Sequence, residues 1–153
     1  MSLTINEKVP NFILPNQNDE IINMKNIKSN LVLFFYPKDN TPGCTLEAID
    51  FSKNIGAIND LGFLVFGISK DSTKKHRNFI EKHKLLVDLL SDEKNKTCED
   101  YGVWVEKSMY GRKYFGIERT TFLILKNKKI LNIWKKVKVK GHTEEVINFI
   151  KAL

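Results

Sequence analysis

Apolar residues come in short bursts separated by polar, Asn- and Lys-rich stretches. "NLVLFFYP" (Asn30–Pro37) is a continuous apolar run rich in β-branched and aromatic residues. Its length and the closing proline predict a fully buried central strand. "GFLVFGIS" (Gly62–Ser69) predicts a second buried strand, and "VDLLSD" a shorter third. Upstream, "PNFILPNQNDEIINMKNI" reads as a hairpin, with "FIL" and "EII" flanking a polar turn. "TTFLILKNKKILNIWKKV" reads as another hairpin around "KNKK". Between strands the period changes. Leu46, Ile49, Ile55 and Ile58 recur at near-helical spacing and predict a helix from Thr45 to Leu61, starting at about Cys44 or Thr45. "DSTKKHRNFIEKHKL" opens on Asp and Ser as capping candidates and predicts a second helix. "EKNKTCEDYGVW" predicts a short helix closed near Gly102. "HTEEVINFIKAL" predicts a closing amphipathic helix, with Val146, Phe149 and Ile150 on one face.

The predicted order is hairpin, β, α, β, α, β, α, hairpin, α. Alternating strands and helices call for an α/β fold with a partly parallel sheet and helices on both faces. The terminal hairpin adds antiparallel strands, so the sheet is mixed and the outline thioredoxin-like. The chain of 153 residues suits a single domain, 1–153, with a core that needs neither disulfides nor metals. No apolar run approaches the ~20 residues of a membrane span. The first residues show neither a basic nor an apolar signal region, so no secretory signal is expected. Two cysteines make no disulfide framework, and a cytoplasmic, reducing location is expected. The net charge of +7 first suggests nucleic acid or an acidic membrane as partner. However, the basic residues are nearly all Lys, with only Arg77, Arg112 and Arg119, and no basic stripe interleaves with aromatics. Neither partner is expected. The densest run, "WKKVKVKGH" (Trp134–His142), alternates Lys with Val and predicts a strand with one wet face or a Lys-guarded edge strand.

The chemistry concentrates in "YPKDNTPGCTLEAIDF" (Tyr36–Phe51). Cys44 follows a Pro-Gly pair, past a strand end and at a helix start. Ligands of open α/β sheets bind at such strand ends. Free N–H groups and the helix dipole favour a thiolate there. Pro37, Thr41 and Cys44 form P-x-x-x-T-x-x-C. With "FFYPKDNTPGCTLEA", "VPNFILPN" and "YGVWVEKSMYGRKYFGIERTTFLI" (Tyr101–Ile124), nearly the whole chain resembles the peroxiredoxins. Within them it resembles the bacterioferritin-comigratory-protein (PrxQ) subfamily.

The resemblance implies a peroxidase without a bound cofactor or metal, acting on hydrogen peroxide and organic hydroperoxides. Cys44 is then the peroxidatic thiolate, which becomes a sulfenic acid. Thr41 offers a hydroxyl to the peroxide, Arg119 a guanidinium fork to thiolate and peroxide, and Pro37 shapes and shields the loop. Glu47 matches an acidic position that orients the arginine. Many members of the subfamily carry a resolving cysteine five residues after the first, where this chain has Ile49. Others carry it in the helix after the second strand, where "STKKHRNFIEKH" has none. Cys98 is the remaining candidate, either as resolver in a two-cysteine cycle or as a non-catalytic thiol. Pairing needs Cα atoms within about 7 Å, and so local unfolding of a helix. The expected route is therefore a one-cysteine cycle completed by thioredoxin, by glutaredoxin with glutathione, or by another small thiol. A redox sensor passing its oxidation to a partner would need the same thiolate. A dithiol reductase is excluded, because Cys44 is followed by Thr45, Leu46 and Glu47 rather than by Cys-x-x-Cys spacing. His76 and His83 lie seven apart on one predicted helix face, without a visible third metal ligand. His142 starts the last predicted helix, and Arg112 has no assigned role. A monomer is expected, an edge-to-edge dimer being the alternative.

Overall fold

The computed structural model describes residues 3–153. Two short strands, β1 (Ile13–Pro15) and β2 (Ile21–Asn23), form the expected N-terminal hairpin. The chain continues through β3 (Asn30–Phe35), α1 (Pro42–Lys53), α2 (Ile55–Asp60), β4 (Phe63–Ser69), α3 (Thr73–His83), β5 (Asp88–Ser91) and α4 (Thr97–Asp100). It ends with β6 (Trp104–Met109), β7 (Arg112–Ile117), β8 (Thr120–Ile124), β9 (Ile130–Trp134) and α5 (His142–Lys151). The central sheet has five strands in the order β5-β4-β3-β8-β9. β3, β4 and β5 run parallel, while β8 and β9 are antiparallel additions. This is the mixed sheet the alternation predicted, with "NLVLFFYP" at its centre.

Alternation along β3 divides the core into two layers. Leu31, Leu33 and Phe35 join Tyr101, Val103, Cys98 of α4 and the N-terminal segment on one face. Val32, Phe34 and Tyr36 join Cys44, Phe51, Ile58, Phe79 and Val146 on the other. Helices cover both faces, but unequally. α1, α2, α3 and α5 all pack on the Phe34 side, while the short α4 and the single 3-10 turn Met24–Asn26 lie on the Phe35 side. Phe34 stacks on Phe51 of α1 with ring centroids 4.6 Å apart. Burying such a ring stabilises by roughly 1.5–3 kcal/mol, enough to fix α1 on β3. Gly67 leaves room for this stack. A Cβ there would come within 2.7 Å of the Phe34 ring and 2.8 Å of Leu89.

Three expectations change. The first helix begins earlier, at Pro42, and breaks at Asn54 into α1 and α2. Proline is well placed at a first helical position, where its missing N–H has no partner to lose. The buried face of α1 is Cys44, Glu47, Ala48, Phe51 and Ser52, whereas Leu46 is exposed and Ile49 only partly buried. Beyond Trp134, the Lys-Val run forms no strand. Lys136 takes φ 49°, which bends the chain out of the sheet, and Val137 N–H donates to the Arg119 carbonyl at 2.9 Å. Finally, β6 and β7 form a hairpin that the sequence reading did not assign. Tyr110 and Gly111 turn it with φ 53° and 76°, both left-handed as a two-residue hairpin turn requires.

Candidate active site

Cys44 sits in the first turn of α1, near the positive end of its dipole, and is 2% exposed. Thr41 is the N-cap residue, with extended backbone, and its carbonyl accepts the Thr45 N–H at 2.8 Å to close the turn. Its hydroxyl does not cap the helix. It donates to the Lys38 carbonyl at 2.9 Å, which leaves the hydroxyl lone pairs for an incoming donor.

Arg119 reaches this turn from the link between β7 and β8. One arm of its guanidinium, Nη2, lies 3.3 Å from Cys44 Sγ, and the other, Nη1, donates to Glu47 Oε1 at 2.6 Å. The fork thus spans two residues on one face of α1, one helical turn apart. Gly43 makes room for it, since a Cβ there would meet Nη2 at 3.3 Å. Burial works against the Arg119 charge, yet Glu47 and Cys44 outweigh it and Arg119 holds its proton more tightly than usual. Burial also dominates at Glu47. Its carboxyl is pushed up to about 7 despite the arginine beside it. Its second oxygen, Oε2, is buried and has no hydrogen-bond partner.

Pro37 stands at the wall of an open groove of about 370 Å³, bordered by Trp104, Lys107, Tyr114, Phe115 and Ile117 of the β6–β7 hairpin. The Lys107 ammonium donates to the Ile117 carbonyl at 2.5 Å. Its pKa is lowered, first by burial and then by Arg119. The sequence reading gave Lys107 and the hairpin that carries it no role at the site.

The AhpC/TSA family model matches residues 5–133. The chain belongs to that family. Among its relatives, a putative peroxiredoxin Bcp of Coxiella burnetii is 47% identical over 148 residues, covering 96% of this chain and 98% of the relative. Peroxiredoxin Bcp of Bacillus subtilis is 41% identical over 154 residues, covering 100% and 98%. A PrxQ mutant of Xylella fastidiosa superposes with a TM-score of 0.94 at 36% identity, covering 99% and 98% of the two chains. The bacterioferritin comigratory protein of Xanthomonas campestris, studied for its alkyl peroxide reduction activity, gives 0.87 at 37% identity, covering 92% and 90%. This peroxiredoxin is accordingly of the Bcp, or PrxQ, type, a thiol-dependent peroxidase on a thioredoxin-like fold.

The second cysteine of the peroxiredoxin is not brought to the first. Cys98 is buried on α4, in the core layer on the opposite face of the sheet from Cys44. Its backbone N–H donates to Asp92 at 2.8 Å. Burial, and then the Asp92 carboxylate, push its thiol far above the usual range. Both cysteines are free thiols.

One cluster in this peroxiredoxin escaped the sequence reading. Asp39, Asp71 and His76 are buried with side-chain ligand atoms within 4.8 Å of one another, the arrangement a metal ion would need. These atoms are engaged with one another and with neighbouring protein groups. His76 Nδ1 meets Asp39 at 2.6 Å, Tyr36 hydroxyl donates to Asp39 at 2.5 Å, and Asp71 accepts the Asp39 N–H at 2.8 Å. No signal in the sequence pairs residues 37 positions apart.

Proposed function

We propose that Cys44 is the peroxidatic thiolate and that the enzyme reduces hydrogen peroxide and organic hydroperoxides in a one-cysteine cycle. The observation that carries this reading is the Arg119 fork, bound to Cys44 Sγ with one arm and to Glu47 with the other. The thiolate attacks the terminal peroxide oxygen. An S–O bond forms, the O–O bond breaks, and the electron pair leaves on the alkoxide or hydroxide, which takes up a proton. Sulfur is oxidised to the sulfenic acid and the peroxide is reduced to alcohol or water. Negative charge moves from sulfur to the leaving oxygen, and the guanidinium is placed to follow it. Thr41, its hydrogen committed to Lys38, accepts the peroxide O–H. Pro37, on the loop that leads to Thr41, lines the groove. That groove suits the body of an organic hydroperoxide, in keeping with the alkyl peroxide activity studied in the Xanthomonas protein.

An external thiol then attacks the sulfenic acid, releases water and forms a mixed disulfide, which a second thiol resolves. Thioredoxin, glutaredoxin with glutathione, or another small thiol fills this role. The placement of Cys98 across the sheet from Cys44 supports an external partner, as does the branched hydrocarbon at Ile49. A cytoplasmic monomer fits a chemistry that draws on a thiol pool. Among the described residues, no helix is long and apolar enough to cross a membrane.

Competition kinetics against hydrogen peroxide, with Cys44→Ser as control, test the thiolate. A rate like that of an ordinary free thiol removes the assignment. Mass spectrometry of peroxide-treated protein, beside turnover of Cys98→Ser, tests the cycle. Sulfenic acid at Cys44 with full Cys98→Ser turnover is expected. An intramolecular disulfide with lost turnover overturns the one-cysteine route.

A further inference from the structure

The loop that carries Pro37 and Thr41 is clasped from α3. Asp39, midway between those two residues, is held at side chain and backbone alike. Its carboxylate lies 2.6 Å from His76 Nδ1 and accepts the Tyr36 hydroxyl at 2.5 Å, while its N–H donates to Asp71 at 2.8 Å. Asp71 is itself fixed, since Ser69 donates to its carboxylate at 2.7 Å and Ser91 to its carbonyl at 2.6 Å. His76 is anchored on β5, where Nε2 lies 3.0 Å from the Leu90 carbonyl. A carbonyl only accepts, so Nε2 carries a hydrogen. Nδ1 then either donates from an imidazolium to the Asp39 carboxylate or accepts from a protonated carboxyl. Both forms share one proton and hold the same geometry.

A second tie runs in parallel. His83, the last residue of α3, meets the Asn40 side chain at 3.1 Å. Asn40 takes φ 64°, a conformation that asparagine tolerates better than most residues. The two histidines that the sequence places seven apart therefore grip two consecutive loop residues. Immediately beyond them come Thr41 and the first turn of α1. A buried ionisable cluster of this kind is often replaceable by apolar packing without loss of stability. Removing one partner alone leaves the other buried and unpaired, so His76→Gln and Asp39→Asn each keep a polar isostere, and the geometric effect falls on the loop that leads to Cys44. Displacement of a reacting group by about 1 Å can cost about 100-fold in rate.

We propose that His76 is a positioning residue for the peroxide step, acting through Asp39 to set the Pro37–Thr41 loop and the Thr41 hydroxyl beside Cys44. The proposal rests on the reading of Cys44 as the peroxidatic thiolate. The test measures three rates on reduced wild type, His76→Gln, Asp39→Asn and the double variant. These are oxidation by hydrogen peroxide, alkylation by iodoacetamide, and reduction of the oxidised protein by one small thiol. Alkylation needs the thiolate but not the Thr41 hydroxyl.

Peroxide oxidation is expected to fall about 10- to 100-fold in each single variant, with alkylation and thiol reduction within about twofold of wild type. The double variant should lose no more than the worse single, because the two residues act as one unit. Tyr36→Phe removes one hydrogen bond to Asp39 and covers the case in which His76→Gln fails to fold. It should slow peroxide oxidation several-fold. Unchanged peroxide oxidation in the variants, an equal fall in all three rates, or multiplying losses in the double variant overturn the proposal. A wild-type protein no faster than a free thiol overturns the Cys44 reading instead.

Discussion

Cys44 and Cys98 are both buried free thiols, 2% and 0% exposed, each in the first turn of a helix. By burial alone they would be alike. What separates them is the charge beside the sulfur. Cys44 has a guanidinium arm at 3.3 Å, whereas the Cys98 backbone N–H is bound to the Asp92 carboxylate at 2.8 Å, and burial and then that anion push the thiol up. A cation favours the thiolate and an anion opposes it. On the proposed reading of Cys44 as the peroxidatic thiolate, the helix start is an incomplete signal for reactivity, and the cation that arrives from a distant loop is what Cys98 lacks at its sulfur.

Removing that cation should nearly erase the contrast. Arg119→Leu is expected to lower the second-order rate with hydrogen peroxide by about 100- to 1000-fold, measured by competition against a reference peroxidase. A fall below tenfold would mean that the dipole and the loop, rather than the arginine, make Cys44 reactive.

Glu47 gives the next largest effect, on stability and its pH dependence. The folded carboxyl titrates near 7 against an ordinary 4.5, so between those values the folded state binds a proton that the unfolded state has lost. The contribution is fully present below about 4.5 and is lost as pH rises through about 7. It amounts to roughly 3 kcal/mol. His142, lowered chiefly by burial, acts in the opposite sense below its ordinary 6.5. Urea unfolding of wild type and Glu47→Gln at pH 5 and pH 8 isolates the glutamate. The difference between the two proteins should change by about 2.5 kcal/mol across that range. A parallel pair of curves would show that Glu47 is ionised throughout.

Gly43→Ala tests the fit of the fork. The new methyl would stand 3.3 Å from Nη2, a contact that the arginine can relieve by moving a few tenths of an ångström. Peroxide oxidation should slow by about three- to tenfold, with the fold intact. On the other face of the sheet, Cys98→Ala should leave peroxide turnover within about twofold and cost on the order of 1 kcal/mol of stability. Alkylation of the native wild type should label Cys44 well before Cys98.

Much of this comparison was legible in the chain. The order of strands followed from run length and period, because the central sheet buries whole apolar segments. The family resemblance, carried by P-x-x-x-T-x-x-C and the segment around Arg119, implied that Arg119 reaches Cys44, and the two are in contact. Other features were hidden for physical reasons. Leu46 marked the wrong face of α1, since that helix buries Cys44, Ala48 and Phe51 together with Glu47 and Ser52, polar residues that an apolar periodicity does not count. The β6–β7 hairpin is two-stranded and largely exposed, so it lacks an apolar run, and only Tyr110–Gly111 marks its turn. The Lys-Val run alternates as a strand does, yet it follows the sheet's edge strand β9, with no further strand to pair with. The grip of His76 on Asp39 is a tertiary pairing that leaves no local trace.

The five-stranded sheet between the two sulfurs has a kinetic consequence. An internal partner would capture the sulfenic acid as a disulfide at a rate indifferent to its surroundings, leaving only the later reduction of that disulfide to an outside thiol. On the one-cysteine reading, recovery is instead a collision with a second molecule, and its half-life lengthens as that molecule becomes scarce. The oxidised fraction at any moment then records the ratio of peroxide arrival to thiol supply. On that reading, the wall of β-strands would make the protein a gauge of the pool that serves it.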